Sequence, residues 1–417
     1  MSAGFTMGLA GCGPISLASN AGQLQGGHGD GSGGQHTNSR TTNSSGTQYS
    51  FRTLDNPADP TFNQLLGINN RSVIAGYFGS GAAGHPNQGY VLDRTPAGFA
   101  ITNENFPNSV QTQVTGLNDR GVTVGFWSDM NTANMNDNFG FYAWHGRFHS
   151  VNFPTGTPAN PPVDQLLGVN DAGTAVGFFT NSAGVNRGYE YNIPTGHFSR
   201  VLPPDASGTN LGSSLTAAGI NNHGDVAGFY NQTANQVDAF LKLRSGKFIT
   251  LAYPSQPGQP QVTMTQAFGV NDSREVVGAY TTGTGNTAQT HGFTWTRERG
   301  FRTVDDPQGT GTTTINGVND QGDLVGFYVD GAGNTNGFAA VPADQNPLPG
   351  LIGAASPTPS TSPSSSSTPS TSPTSTMSPT PSTSPTSTMS PAPSTSPTGG
   401  TTPSQSPSPN PLQPTHF

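Results

Sequence analysis

The chain has 417 residues, of which 31% are hydrophobic and only 9% are charged, and it contains 56 glycines and 36 prolines. This composition excludes one ordinary globular domain and indicates that packed and unpacked segments are combined in the chain. The net charge is −8 and no basic stripe is present, so the electrostatic footprint of a nucleic-acid-binding protein is missing. We expect no nucleic-acid partner.

The first 12 residues end in the sole cysteine of the chain, Cys12. Residues 9–12, Leu-Ala-Gly-Cys, resemble a bacterial lipobox, in which the cysteine becomes the lipidated first residue of the mature protein. The segment before it has no Lys or Arg and is short for a signal sequence. Two interpretations stay open: Cys12 is lipidated and the translation start lies upstream of Met1, or Cys12 is a free thiol in an unpacked head. One cysteine forms no disulfide within a chain.

Residues 13–48 are rich in Gly, Ser and Asn, and we predict a flexible linker there. Its glycine-rich stretch at 26–34 follows no strand signal and opens no helix, as a phosphate-binding loop requires. At the other end, residues 343–417 are rich in Ser, Thr and Pro, and the segment 368–379 is repeated directly afterwards. Such a segment buries too little apolar surface to fold, so we predict a disordered tail that is open to O-glycosylation.

Between these ends, residues 49–342 carry six copies of a twelve-residue unit. The sixth copy, at 317–328, reads Gly-Val-Asn-Asp-Gln-Gly-Asp-Leu-Val-Gly-Phe-Tyr. Successive copies start 48 to 52 residues apart, at Gly67, Gly116, Gly168, Gly219, Gly269 and Gly317. A period of this length indicates a solenoid, a propeller or an array.

Each copy predicts a β-hairpin. Asn and Asp side chains stabilise turns, and a glycine in the last turn position takes positive φ in a type I turn closed by a G1 bulge. Ser72 and Arg274 stand where that glycine is expected in the first and fifth copies. A Gly-aromatic pair recurs with few exceptions, as does a run led by Phe. Four short strands per period are typical of a propeller blade, so we predict an all-β fold, a six-bladed β-propeller. Stacked β-sandwiches are the alternative.

The pattern of Gly-Ile/Val-Asn, the turn glycine, Val-Gly-Phe-Tyr, Gly-Phe and Phe-x-Thr-Val/Leu-Asp resembles the HAF-type extracellular repeat proteins of bacteria. The resemblance covers all six copies, between about residues 49 and 342. It implies an extracellular, β-propeller-like repeat protein. It implies no activity, because that family is recognised by its repeats.

The strand led by Phe51 stands before the first copy, and no such strand follows the last Gly-Phe pair at 337–338. We therefore predict that Gly-Ile-Asn is the innermost strand of each blade and that the Phe51 strand completes the sixth blade. A phasing with Phe51 innermost in the first blade is the alternative. In both phasings the Asn-Asp-x-Gly turns share one end, and the long loops share the other. Those loops are 128–138, 154–164, 254–263 and 281–291, and they are candidates for binding or simple solvated connectors.

No nucleophile–base set emerges in the repeats, which have no cysteine and no Gly-x-Ser-x-Gly elbow. Three recurring groups are interpreted as structural: scattered histidines, aspartates that bond their own turn backbone, and one aromatic per blade that packs between blades. A sugar-stacking ring is the alternative for the aromatics. The histidines are His85, His145, His149, His197, His223 and His291; the aspartates are Asp119, Asp171, Asp272 and Asp320; the aromatics are Phe78, Trp127, Phe179, Tyr230, Tyr280 and Tyr328.

These observations favour an extracellular or cell-surface binding or scaffold module, non-catalytic, that presents its loop face to a glycan or a protein. A secreted polysaccharide-acting hydrolase or lyase is the alternative, and it needs two carboxylates or a metal site converging on the axis. We expect a monomer outside the cell or in the cell envelope, with no cofactor and no metal. Membrane contact is expected only through a lipid on Cys12. Neither the ligand nor the binding residues follow from the sequence.

Overall fold

The computed structural model describes residues 39–42, 48–82, 84–95, 98–129, 137–203, 213–233 and 236–343. Three predictions lie outside these residues: the lipobox with Cys12, most of the linker, and the tail beyond Ala343. Within the described ranges, no helix is long and apolar enough to cross a membrane.

The strands form six antiparallel blades that follow the six sequence repeats. Two strands precede the first repeat, β1 (Ser39–Thr42) and β2 (Gln48–Thr53). The first three blades contain β3 (Asn63–Ile68), β4 (Ile74–Phe78), β5 (Gln88–Thr95) and β6 (Gly98–Asn103); β7 (Gln111–Leu117), β8 (Val122–Ser128), β9 (Phe139–Trp144) and β10 (Arg147–Val151); and β11 (Asp164–Val169), β12 (Thr174–Thr180), β13 (Asn186–Asn192) and β14 (His197–Arg200).

The other three blades contain β15 (Leu215–Ile220), β16 (Val226–Thr233), β17 (Gln236–Lys242) and β18 (Phe248–Leu251); β19 (Val262–Val270), β20 (Val276–Thr282), β21 (Gln289–Thr296) and β22 (Gly300–Thr303); and β23 (Thr314–Val318), β24 (Leu324–Val329) and β25 (Thr335–Pro342). One parallel bridge between Val237 and Met264 joins blades four and five, so their hydrogen bonds trace one eight-stranded path.

The N-terminal strand β2 completes the sixth blade. It pairs antiparallel with β25, and Phe51 lies opposite Ala340. The predicted phasing is therefore confirmed, and the phasing with Phe51 innermost in the first blade is wrong. Closing the ring with the N-terminal strand connects the two ends of the repeat region and pairs the outer edge of β25.

The repeat glycines show that the inner strands form a closed circle. A Cβ atom added to Gly67 would lie 3.0 Å from Gly116 Cα, and one added to Gly317 would lie 3.2 Å from Gly67 Cα. The four other neighbouring pairs of repeat glycines are equally close. Only glycine allows backbone to approach backbone in this way. The six-bladed β-propeller is confirmed, and the stacked-sandwich alternative is wrong.

A β-bulge in every inner strand explains the Val-Gly pair of the repeat. The register shifts by one residue just before each repeat glycine, as between Leu166 and Gly168. The bulge brings an inner-strand carbonyl over the glycine of the next strand, so a Cβ on Gly177 would lie 1.9 Å from the backbone oxygen of Gln165. The glycine keeps the second strand in contact with the bulged one.

Apolar side chains fill the spaces between blades. Leu65 and Tyr90 of the first blade are buried with Val325 and Ala339 of the sixth. The second strand of each blade is covered on both faces by the neighbouring blades. In β4, for example, four of the five residues are buried, and the fifth is half-buried. The propeller has two ends. We call the end with the six Asn-Asp-x-Gly-type turns the turn face, and we call the opposite end the loop face.

Candidate functional site

The turns adopt the predicted geometry. Glycine has positive φ in the last position of four turns, for example 77° at Gly121. Ser72 and Arg274, which replace that glycine, have φ values of 59° and 61°. The hydrogen bond from Gly121 N–H to Asn118 O closes the turn. The type I turn with a G1 bulge is therefore confirmed, even where the residue is not glycine.

The first residue of each turn is an asparagine, and the six form a closed ring of hydrogen bonds. Each Oδ1 accepts the N–H of the residue four positions later at 2.8–3.0 Å. Each Nδ2 donates to the backbone oxygen of the equivalent asparagine in the next blade at 2.9–3.4 Å. The members are Asn69, Asn118, Asn170, Asn221, Asn271 and Asn319. One side chain thus stabilises its own turn and attaches it to its neighbour.

The next residue of each turn forms a second closed ring. Its backbone N–H donates to the side-chain Oδ1 of its counterpart in the next blade at 2.7–2.9 Å. The members are Asn70, Asp119, Asp171, Asn222, Asp272 and Asp320. The interpretation that these aspartates bond their own turn backbone is wrong. Within each turn, the preceding asparagine already accepts the backbone N–H groups. Because the turns converge on the axis, the N–H group that the aspartate can reach belongs to the turn of the neighbouring blade.

The two rings surround a shallow axial depression of about 70 Å³ on the turn face. It is lined by the residues of both rings and by apolar residues such as Ile68 and Val169. The Nδ2 group of Asn70 bridges Asp119 at 3.1 Å and Asp320 at 2.8 Å. Small-molecule pockets are several times larger, typically about 300–1,000 Å³. The depression is therefore best described as the structural hub of the propeller.

The loop face is anchored differently. In five blades, a side chain in the first half of the inner strand or just before it accepts the N–H of a residue in the loop that enters the blade, at 2.7–3.0 Å. Asp164 accepts from Phe153 in this way, and Asn63 accepts from Asn56 in the first blade. The loop stems are thus fixed. The predicted location of the long loops on one face is confirmed by the antiparallel order of the strands.

The recurring aromatics pack inside the structure. Trp127 stacks on Phe106 with ring centroids 4.2 Å apart, and Tyr280 stacks on Tyr253 at 3.6 Å. Phe106 and Tyr253 come from the loops that enter these blades. The packing interpretation is confirmed at these two positions, and the rings do not form a sugar-stacking circle.

Two of the predicted histidines pair with aspartates on the loop face. The Nδ1 atom of His85 lies 2.9 Å from Asp59 Oδ2, and that of His291 lies 2.7 Å from Asp305 Oδ2. The first pair lies in blade one and the second in blade five, so the two pairs do not form one site. Among the described residues, no three His, Cys, Asp or Glu side chains are grouped closely enough to hold a metal ion.

Among the carboxyl groups whose pKa burial raises, two reach about 7. Burial raises the pKa of Asp164 to about 7, against the opposing effect of the hydrogen bond from the Tyr189 hydroxyl. Burial also raises the pKa of Asp55 to about 7. Asp164 begins the third blade, whereas Asp55 follows the strand that completes the sixth, on the opposite side of the ring. The structure does not bring these two groups together.

No family model and no curated protein matches the chain. Among solved structures, it is similar to the Aleuria aurantia lectin, a six-bladed β-propeller with fucose recognition, with 9% identity over 68% of this chain and 96% of the lectin, and a TM-score of 0.38. It is also similar to an ulvan lyase of polysaccharide lyase family PL25, with 11% identity over 71% of this chain and 78% of that chain, and a TM-score of 0.31. A prolyl endopeptidase shows 13% identity and a TM-score of 0.33, over 72% of this chain but only 39% of the endopeptidase. At such identities the activities of these proteins are not transferred to this chain.

Proposed function

We propose that the protein is a non-catalytic binding or scaffold module of the HAF-type repeat class, which acts outside the cell or at the cell surface and presents its loop face to a glycan or a protein. Lipidation of Cys12 is part of this proposal and supplies the attachment to a membrane. The two closed hydrogen-bond rings of the turn face are the observation that supports the proposal.

The rings make one end of every blade the same, while the other end varies. On the loop face, the connections between strands differ in length, for example five residues at 181–185 and twelve at 152–163. A scaffold that is rigid before binding lowers the entropic cost of association, and variable loops supply specificity. A binding module requires this division between a turn face that is held rigid by hydrogen bonds and a loop face that varies.

The experiment uses the full-length protein and a panel of cell-wall and plant polysaccharides, with binding and release of reducing ends scored together. We expect binding without release. A variant with the segments 129–137, 154–162, 254–261 and 283–288 shortened should lose binding and still melt cooperatively. As a control, Arg71→Ala on the turn face should bind like the wild type.

Three results would count against the proposal. Unchanged binding by the shortened variant would exclude the loop face. Release of reducing ends would favour the alternative, a hydrolase or lyase, and would make the carboxylates near the axis the next residues to substitute. If no polysaccharide binds, the same variant is compared with the wild type in a pull-down of surface proteins, and failure there too would contradict the proposal.

A further inference from the structure

Building on the proposed function, we propose that the binding surface extends from the loop face into the groove between the outer strands of blades two and three, and that its ligand is an acidic oligosaccharide with carboxylate or sulfate groups. This blade 2–3 groove is defined by Trp144, Tyr142, Arg147 and His149 of blade two and by Tyr191, Phe198, Arg187 and Arg200 of blade three.

The strand register of blade two shows which side chains form the first wall of the groove. Residues directly opposite each other on neighbouring strands share a face of the sheet. In blade two, Arg147 lies opposite Trp144, and His149 lies opposite Tyr142. Tyr142 packs against the apolar core between blades two and three. These four side chains therefore belong to the face of blade two that is turned toward blade three.

The opposite wall follows from the same argument. In blade three, Phe198 lies opposite Tyr191, and Arg200 lies opposite Tyr189. Tyr189 is buried in the core that also contains Val151 of blade two. Arg187 is two residues before Tyr189 on the same strand, so it lies on the same face. The outer strands of the two blades thus oppose each other across the groove.

Aromatic rings line the groove along its length. The rings of Tyr142 and His149 stack at 4.7 Å, and those of Tyr191 and Phe198 lie 4.6 Å apart. Tyr142 and Tyr191 approach to 6.5 Å across the blade boundary. Trp144, at the end near the turn face, is 53% exposed. An exposed aromatic next to half-buried ones marks an interaction surface, and aromatic walls with a few charged groups are typical of ligand sites.

Two arginines stand at the loop-face end. The guanidinium carbon of Arg200 lies 5.7 Å from the ring centre of Phe153 and 5.4 Å from that of Phe179. The two phenyl rings stack on each other at 4.6 Å, so they form a fixed support for the cation. Arg187 lies opposite Phe179 and donates to the backbone oxygen of Ser213 at 3.4 Å. Burial and the nearby charge of Arg187 both lower the pKa of Arg200.

In the part of the chain that the structure describes, no carboxylate forms an ion pair with Arg147, Arg187 or Arg200. Glu190 lies on the other face of its strand and pairs with Lys242 at 3.2 Å. In a chain of net charge −8, three such arginines along one groove form a local positive strip. Guanidinium groups bind planar or tetrahedral oxyanions in a bidentate manner, which gives the ligand its acidic character.

A comparison among blades shows that packing does not require Arg200. The equivalent position holds Thr250, Thr303 and Thr53 in blades four, five and six. Each of these hydroxyls is hydrogen-bonded to a tyrosine hydroxyl of its blade at 2.9–3.1 Å. In blade three, the tyrosine is replaced by Phe179 and the threonine by Arg200. The change replaces an internal hydrogen bond with an exposed cation.

The length of the groove favours an oligosaccharide over a single sugar. A strand of five residues such as β10 is about 15 Å long at 3.3 Å per residue. The aromatic rings lie along this length, and the arginine pair lies at its loop-face end. An extended chain with an acidic group near that end fits the arrangement.

The test measures the binding of full-length protein to polygalacturonate, dextran sulfate and neutral dextran by affinity electrophoresis. The key variant is Arg187→Gln/Arg200→Gln, and a second variant is Trp144→Ala. The charge-matched control is Arg71→Gln/Arg120→Gln, two exposed arginines of the turn face. Melting temperatures of all variants are measured beside the wild type.

We expect the wild type to prefer an acidic polymer over dextran, and we expect each groove variant to bind it at least about tenfold more weakly. The control should stay within about twofold of the wild type. Preference for polygalacturonate identifies the ligand group as a carboxylate, and preference for dextran sulfate identifies it as a sulfate. Because Trp144 is exposed, its variant tests the groove even if the double arginine variant fails to fold.

Two results overturn the inference and leave the proposed function standing. One is binding of an acidic polymer by the groove variants as tightly as by the control. The other is a wild-type protein that binds only neutral glycans. Binding of no polysaccharide also overturns the inference, and the proposed function is then decided separately by the surface-protein pull-down with the shortened-loop variant.

Discussion

Replacement of Asn118 by alanine removes three hydrogen bonds from the turn-face ring. Its Oδ1 accepts from the N–H groups of Arg120 at 3.0 Å and Val122 at 2.9 Å, and its Nδ2 donates to Asn170 O at 2.9 Å. The residue is only 4% exposed, so water replaces these bonds poorly. At a net value of about 1 kcal/mol for each bond, the free energy of unfolding should fall by about 3 kcal/mol.

Thermal unfolding followed by circular dichroism measures this loss. A loss of about 3 kcal/mol corresponds to a decrease in melting temperature of about 5 °C for a domain of about 300 residues. The control is Asn152→Ala, whose side chain is exposed, and it should change stability by no more than about 0.5 kcal/mol. If Asn118→Ala melts within about 2 °C of the control, the ring does not hold the turns together and the reasoning is refuted.

Three further predictions concern backbone geometry and pH. Gly177→Ala forces a Cβ to within 1.9 Å of Gln165 O and should destabilise by several kcal/mol, whereas Gly156→Ala meets open space; equal melting temperatures would contradict this. Ser72→Gly should raise the melting temperature by about 2 °C, because relief of the left-handed backbone outweighs the entropy of glycine, and a decrease would contradict this. Burial raises the pKa of Asp164 to about 7, above the value of about 3.9 in the unfolded chain. The folded state therefore holds this proton more tightly, so stability falls as pH rises from about 4 to 7. Asp164→Asn should make that decline shallower, and an unchanged slope in a pH series of melting curves would disprove it.

Features that repeat or that depend on local chemistry could be predicted from the sequence. The glycine period indicated six blades, and the unpaired position of the Phe51 strand indicated how the ring closes. The turn pattern predicted positive φ at the turn glycines, and the structure shows it also at Ser72 and Arg274, where the sequence departs from the pattern. In each case the signal lies within a few residues or returns every 50 or so residues, so it is visible without a structure.

Contacts between repeats could not be predicted in the same way. Nothing near Asp119 in the sequence shows that its carboxylate accepts the N–H of Asn70, 49 residues earlier. Local turn chemistry offered a sufficient explanation, and it was wrong because the convergence of six turns on one axis is a tertiary fact. The glycine of the Val-Gly pair likewise becomes understandable only with the bulge in the opposite strand.

The groove was missed for a different reason. The aromatics that recur in every blade are the visible signal in the sequence, and these are packed inside. The groove depends on residues that break the repeat, such as Trp144 and Arg200. The available signal was the departure itself: an arginine where the later repeats have a threonine. In a repeat protein, recurring residues build the scaffold and departures from the repeat carry specificity.

The most direct test of the account is the polysaccharide panel with full-length protein, in which binding and release of reducing ends are measured in the same samples. The account predicts retention of an acidic polymer with no increase in reducing ends over a protein-free blank. Accumulation of reducing ends would contradict the central claim that this propeller is a non-catalytic binding module.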